Sequence, residues 1–166
     1  MKYIKNTAAI FIALCYISAF AQTQPQTGIT MQQTIEFLNK KMGSGIVISL
    51  AKNEQIVISF YKNGAVYKID KIYLETLDSN KVSFSAEEKA LILRCKSPEN
   101  LEGKMKKFKD GCVEREIIDK EIIGAYGRCN LEIGTDKKKI ASVQKAIIHL
   151  IKLAQNEEYS SSIPFE

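Results

Sequence analysis

The spacing of apolar residues changes twice along the chain, and this change constrains the fold more than any other feature of the sequence. Over residues 31–42 apolar side chains recur at the spacing of an α-helix. From Gly45 onward they alternate with polar residues, which is typical of strands with one buried face. Helical spacing returns over residues 137–156. The sequence therefore predicts a helix, a run of strands and a second helix.

Both predicted helices have recognisable ends and one apolar stripe. Thr30 and Gln33 form a capping box, and Gly43 stands where a left-handed cap is expected. Thr135 or Asp136 is placed to cap the second helix. The apolar stripes predict the buried residues of each helix: Met31, Ile35, Leu38 and Met42 in the first, and Ile140, Val143, Ile147, Leu150 and Ala154 in the second, widened by Ile148, Ile151 and Leu153.

Between the helices, short apolar runs are separated by short turn sequences. Asn63-Gly64 is the strongest turn signal, because both residue types tolerate positive φ in a two-residue hairpin. We predict a turn at Gly124–Gly127 as well. The predicted strands cover residues 46–50, 56–60, 65–70, 72–77, 82–85, 90–95, 112–118 and 129–133. Short strands joined by short turns indicate antiparallel sheet. We expect an α+β, mainly β fold: a meander of seven or eight strands in a strongly bent sheet or partly open barrel, capped by the C-terminal helix.

The N-terminus has the features of a cleaved signal peptide. Lys2 and Lys5 precede an apolar run over 8–20, and Ala19-Phe20-Ala21 fits the small-x-small cleavage rule. The run is shorter than the roughly 20 apolar residues that a membrane-spanning helix needs. A lipidated Cys15 is disfavoured because Leu14 precedes it. We therefore predict cleavage between residues 21 and 22 and a periplasmic or secreted protein.

Cleavage would leave one domain with little net charge. Removing residues 1–21 shortens the 166-residue chain to 145 residues and removes two lysines, so the formal charge of +5 falls to +3. That balance does not favour nucleic acid as a partner, and no later segment is apolar enough to span a membrane. We divide the remaining chain into a flexible lead (22–28), one β-domain with its flanking helices (29–156) and a frayed tail (157–166).

Three segments carry a resemblance to a known group of proteins. They are TIEFLNKKM in the first helix, the CK…DGC stretch and QKAIIHLIKLA in the second helix. By these segments the chain is similar to small exported Bacteroidota proteins of pleckstrin-homology-like fold. The resemblance to the fold itself covers residues 45–156, with the N-terminal helix as an addition, and it implies a partly open barrel rather than an activity. Lipid-binding domains of that fold have several basic residues in the first hairpin. Here Ala51-Lys52-Asn53-Glu54 offers one lysine beside one glutamate, so phosphoinositide binding is not supported.

Three cysteines remain after cleavage, and exported proteins form disulfides in oxidising compartments. Sequence leaves three pairings open. We favour Cys95–Cys112, since Lys109-Asp110-Gly111 turns the chain back just before Cys112. Closing such a loop would stabilise the fold by about 3 kcal/mol in the chain-entropy model. Cys129 shares the parity of Leu131, which predicts a buried thiol; the alternatives are a reactive thiol or an intermolecular disulfide.

The sequence offers no catalytic or metal-binding motif. The cysteines are too far apart for a zinc site, and His149 is the only histidine. His149 shares a polar helical stripe with Lys138, Ser142, Lys145, Lys152 and Asn156, which predicts a surface histidine. The acidic residues Glu114, Glu116, Asp119 and Glu121 interleave with Arg115 and Lys120, a pattern typical of a solvated, mutually paired face. We expect no catalytic residues, metal or cofactor.

Two basic segments are candidate binding surfaces. Lys104, Lys106, Lys107 and Lys109 bracket Phe108 between the paired cysteines, and such a loop could contact an anionic lipid or polysaccharide. Lysines 137–139 open the last helix, either as an anion site or as a solvated run screened by Asp136. We predict a non-enzymatic binding module whose partner is an envelope protein or an anionic glycan or lipid surface. The alternative is a small carrier or enzyme that uses an interior cavity.

Overall fold

A computed structural model describes residues 28–51 and 55–156, apart from the side chain of Lys104. The predicted signal peptide, most of the lead, the 52–54 hairpin tip and the tail lie outside these residues. The described chain has two helices, α1 (Met31–Met42) and α2 (Lys137–Ala154). Its eight strands are β1 (Ile46–Leu50), β2 (Gln55–Lys62), β3 (Ala65–Tyr73), β4 (Ser83–Ser85), β5 (Ala90–Arg94), β6 (Val113–Ile117), β7 (Ile122–Tyr126) and β8 (Arg128–Glu132).

The predicted fold class is confirmed. All strand pairs are antiparallel, and they form two open sheets, with order β1-β2-β3-β6-β7 in one and β4-β5-β8 in the other. The expected simple meander is wrong between β3 and β6, because the β4–β5 hairpin leaves to build the second sheet. The chain then returns to place β6 beside β3.

The local signals at the helix N-termini and at the Asn63-Gly64 hairpin are also confirmed, whereas Gly43 caps α1 with φ 72° and ψ −160° and not in the left-handed conformation expected. The Thr30 hydroxyl accepts a hydrogen bond from the Gln33 N–H at 3.2 Å, and the Gln33 side chain accepts one from the Thr30 N–H at 2.9 Å. Asp136 caps α2 by accepting from the Lys139 N–H at 2.9 Å, which lowers the pKa of this carboxyl. Asn63 and Gly64 have φ of 53° and 81° and join β2 to β3.

Two strand predictions are wrong. Residues 72–77 are not a separate strand, since β3 runs without a break to Tyr73 and a 3-10 turn follows. The segment predicted as a Gly124–Gly127 turn instead forms most of β7, and only Gly127 separates β7 from β8. Gly124 is accommodated there because the ring of Tyr126 lies over it: a Cβ would approach the ring to 3.3 Å.

One hydrophobic core lies between the sheets and the helices. The inner face of the larger sheet contributes Ile48, Ile58 and Ile72, and α2 contributes Val143, Ile147 and Leu150, all at most 1% exposed. The predicted stripes of both helices face this core, although Met31 and Ile140 are only partly buried. The core therefore fixes the helices against the sheets without a closed barrel.

The strand register shows how the two sheets join. Arg94 of β5 is opposite Arg128, and Val113 of β6 is opposite Tyr126, so Cys95 and Cys112 both approach Gly127. Strands on opposite sides of a third strand are about 9.5 Å apart, but the Cα atoms of these cysteines are 5.7 Å apart. We conclude that β5 and β6 lie end to end on the same side of β7–β8.

Gly111 lets the chain approach this junction. Its φ is +147°, and a Cβ at this position would be 2.6–2.8 Å from the backbone of Tyr126.

We predict that Gly111→Ala destabilises the protein by about 1–3 kcal/mol, as expected for overpacking. Gly127→Ala is the matched control, since nothing lies within 4 Å of its Cβ position. Urea unfolding of both variants measures the difference, and equal stabilities would contradict the predicted close approach.

Candidate functional site

The structure joins Cys95 to Cys112, the pairing favoured by the sequence. The S–S distance is 2.06 Å and the bridge spans 17 positions. It connects the end of β5 to the start of β6 and closes residues 96–111 into a loop, which we call the disulfide loop. The Cys95 N–H also donates to the Gly127 carbonyl at 3.0 Å. Both ends of the loop are therefore fixed to the sheets.

The middle of the disulfide loop is anchored by apolar contacts. Leu101 and Met105 are buried, at 4% and 9% exposure. The half-buried Phe108 packs against Tyr73 with ring centroids 5.0 Å apart. Lys107 Nζ lies 5.4 Å from the Tyr73 centroid and 4.9 Å from the Phe108 centroid. Phe108 thus serves the packing of the loop and is not displayed as a free aromatic.

Three lysines of the disulfide loop face solvent, whereas Lys96 is half-buried. Lys106, Lys107 and Lys109 are exposed. None of them forms a salt bridge with a described carboxylate. Lys104 lies in the 3-10 segment Gly103–Phe108, and its side chain is outside the described atoms. The loop therefore presents three exposed lysines together with three exposed acids, Glu99, Glu102 and Asp110, on a backbone that is fixed at both ends and in the middle.

A groove of about 500 Å³ separates the disulfide loop from the end of α2. Its lining is mostly polar: Glu75, Lys96, Asn100, Leu101, Glu102, Met105, Ala154, Gln155 and Asn156. The Gln155 amide donates to the Leu77 carbonyl at 2.9 Å, which ties the helix end to the segment after β3. Such a lining suits a polar ligand better than a hydrophobic one.

A buried ion pair lies on the inner face of the larger sheet. Asp70 of β3 and Arg115 of β6 are opposite each other in the register. Arg115 donates two hydrogen bonds of 2.7 Å to the carboxylate of Asp70, which is 0% exposed. The guanidinium lies 4.6 Å from the Tyr126 ring centroid. The hydrogen bond to Asp70 raises the pKa of Arg115, and the two parallel hydrogen bonds are typical of a bidentate arginine–carboxylate pair.

Two further titratable groups adjoin this pair. Burial is the main cause that raises the pKa of the Cys129 thiol well above its ordinary value, and Asp70 adds to it. Burial also lowers the pKa of Lys68, whose Nζ lies 3.6 Å from the Phe60 ring centroid. Cys129 is 0% exposed, as its strand parity predicted. A buried thiol that resists ionisation is a poor nucleophile.

His149 is not a surface residue, and that prediction is wrong. It is 3% exposed, and its Nε2 lies 3.0 Å from the Ile29 carbonyl oxygen. The helical stripe could not reveal this contact because Ile29 precedes α1, far away in sequence. Lys138 and Lys145 of the same stripe are exposed as expected. His149 therefore ties α2 to the segment before α1.

The part of the chain described by the structure contains no group of three or more His, Cys, Asp or Glu residues that could hold a metal ion. Its helices also include none long and apolar enough to cross a membrane. Comparison with protein-family models, with curated proteins and with solved structures found no match. The resemblance to exported pleckstrin-homology-like proteins therefore stays a prediction.

The Asp70–Arg115 pair corrects the expectation that Arg115 lies on a solvated face. The signal was present in the strand parity. Asp70 alternates in phase with Ile72, and Arg115 with Val113, and both apolar partners are buried. One acid and one base at inward positions of two strands indicate a buried pair, but only if the strands are known to be neighbours. Asp70 and Arg115 are 45 positions apart, and no local sequence pattern specifies that β3 and β6 are neighbours.

We predict that Arg115→Leu destabilises the protein by about 3–5 kcal/mol, because it leaves the Asp70 carboxylate buried without its partner. The double variant Asp70→Leu/Arg115→Leu should recover much of this loss, since neither charge remains. Chemical unfolding of both variants measures the coupling. The matched control is Lys71–Glu114, an exposed pair on the same two strands at 3.2 Å, whose loss should cost less than about 1 kcal/mol. Equal costs for Arg115→Leu and Lys71→Leu would contradict the assignment.

Proposed function

We propose that the protein is an exported, non-enzymatic binding module that contacts an anionic partner through the disulfide loop. The observation that carries this proposal is the exposure of Lys106, Lys107 and Lys109 on a loop anchored by a disulfide and by Phe108. A fixed backbone lowers the ordering cost of binding. The shared chemistry of the partner is a phosphate, sulfate or carboxylate group, carried by a glycan or a lipid headgroup.

Export is supported by two independent features. The first 21 residues have the charged start, apolar stretch and cleavage sequence of a signal peptide. The Cys95–Cys112 disulfide is the kind of bond that persists in oxidising compartments. Each feature agrees with a periplasmic or secreted protein.

The absence of an enzymatic role is supported by the environment of the two most reactive side chains. Cys129 is fully buried with a raised pKa, and His149 is buried against the Ile29 carbonyl. A nucleophile and its base must lie within hydrogen-bond reach of each other and of a substrate. Neither residue meets solvent. The alternative of a carrier for a hydrophobic ligand gains no support from the polar groove.

The proposal is tested with the variant Lys106→Gln/Lys107→Gln/Lys109→Gln. Because each lysine near an anionic surface contributes about a fivefold gain in affinity, we expect binding to dextran sulfate or to phosphatidylglycerol vesicles to weaken by at least tenfold. Calorimetry or co-sedimentation measures the change, and comparing the two probes separates a glycan from a lipid source.

The matched control is Lys62→Gln/Lys89→Gln/Lys120→Gln, which removes the same charge from exposed positions outside the disulfide loop. It should bind nearly as tightly as the unmodified protein. If the two triple variants lose affinity equally, attraction is a property of net charge and the loop is not the contact surface.

A further inference from the structure

The excess positive charge of the described chain lies on its two helices. Helices α1 and α2 contain seven lysines and one glutamate. The rest of residues 28–51 and 55–156 contains fourteen basic and fourteen acidic residues. The strands and loops are thus balanced, while the helical layer carries a net charge of about six. A solvated surface of mixed charge would show no such separation.

Exposed lysines follow the length of α2. Lys138, Lys145 and Lys152 are seven positions apart, so they form one stripe with steps of about 10.5 Å. The first two are exposed and the third is half-buried. The 18-residue helix is about 27 Å long, and it contains no acidic residue. At its C-terminal end the stripe reaches Asn156, on the rim of the groove beside the disulfide loop.

A second cleft of about 370 Å³ lies at the other end of the stripe. It is lined by Lys41 of α1 together with Asp136, Lys138, Lys139 and Ser142. The Asp136 carboxylate already accepts the Lys139 N–H, and three lysines face one acid. Lysines near a helix N-terminus are disfavoured by the helix dipole and by their mutual repulsion. An anionic group in the cleft would relieve both costs.

The chemistry of this surface fits a polymer better than a membrane. Membrane-surface helices present large apolar side chains beside their lysines, but the exposed large apolar residues here are on β1 and around the β6–β7 turn: Val47, Leu50, Ile118, Ile122 and Ile123. Single-stranded nucleic acid would need exposed aromatic rings for stacking. Phe37 is the only aromatic residue of the helices, and it is half-buried.

We propose that the α1–α2 layer binds a linear anionic polysaccharide that lies along the Lys138–Lys145–Lys152 stripe, with one anionic group in the cleft at Lys41 and Lys139. This inference rests on the proposed function for the anionic nature of the partner. It adds to that proposal a polysaccharide as the class of partner and the α1–α2 layer as a second binding surface. The polymer runs toward the disulfide loop, so a chain longer than about 27 Å can contact both.

The test compares Lys138→Gln/Lys145→Gln with the control Lys62→Gln/Lys120→Gln, using dextran sulfate as the probe and neutral dextran as the blank. We expect the helix variant to bind at least tenfold more weakly, with a salt dependence reduced by about one counterion per lysine. The control should change by less than twofold. The charge-preserving variant Lys138→Arg/Lys145→Arg should restore binding, which separates lost charge from lost folding.

Each outcome decides between the two surfaces. If helix variants lose affinity and the disulfide-loop variant does not, this inference holds and the loop proposal fails. If only the loop variant loses affinity, the loop proposal holds and this inference fails. If dextran sulfate binds no better than neutral dextran at low salt, both fail. Tighter binding to phosphatidylglycerol vesicles or to single-stranded DNA, with the same dependence on Lys138 and Lys145, would overturn the choice of polysaccharide.

Discussion

The strand ladder through Gly127 is the constraint on which the rest of the structure depends. Strands β7 and β8 follow each other through this residue and belong to different sheets. On one side of them β5 and β6 lie end to end, and the disulfide closes the gap where the chain leaves for residues 96–111. The disulfide therefore links the end of β5 covalently to the start of β6. Both sheets, and the single core between them and the helices, are fixed relative to each other at this point.

The charged residues inside the fold and the charged residues proposed to bind a partner lie in different parts of the structure. The Asp70–Arg115 pair lies on the inner face of the larger sheet, where the cost of an unmatched partner is high. The lysines proposed to bind a partner lie on the disulfide loop and on the helices, where Lys106, Lys107, Lys109, Lys138 and Lys145 are exposed to solvent. Because the loop is excluded from the strand ladder, its outer face can vary without disturbing the core. A rigid scaffold with functional loops is a common division of labour in binding proteins.

The features that depend on residues close together in sequence could be predicted, and those that depend on contacts between distant segments could not. The capping box at Thr30, the Asn63-Gly64 hairpin and the stripe of α2 depend on residues close in sequence, and all were found. The turn expected at Gly124–Gly127 is wrong because β7 continues to Tyr126, whose ring covers Gly124 within the strand. The burial of His149 and the Asp70–Arg115 pair depend on contacts between distant segments. The excess of lysines in the two helical segments is visible in the sequence. The sequence does not show that the two helices pack together in one layer.

The disulfide tests the central claim most directly, because Cys95 and Cys112 can be joined only if the end of β5 lies next to the start of β6. The measurement is peptide mapping by mass spectrometry of the purified protein, alkylated under denaturing conditions without reduction. The account predicts a linked pair of peptides containing Cys95 and Cys112, with Cys129 as the alkylated thiol. A bridge that includes Cys129, or three alkylated cysteines, would contradict it and would remove the anchor of the proposed binding loop.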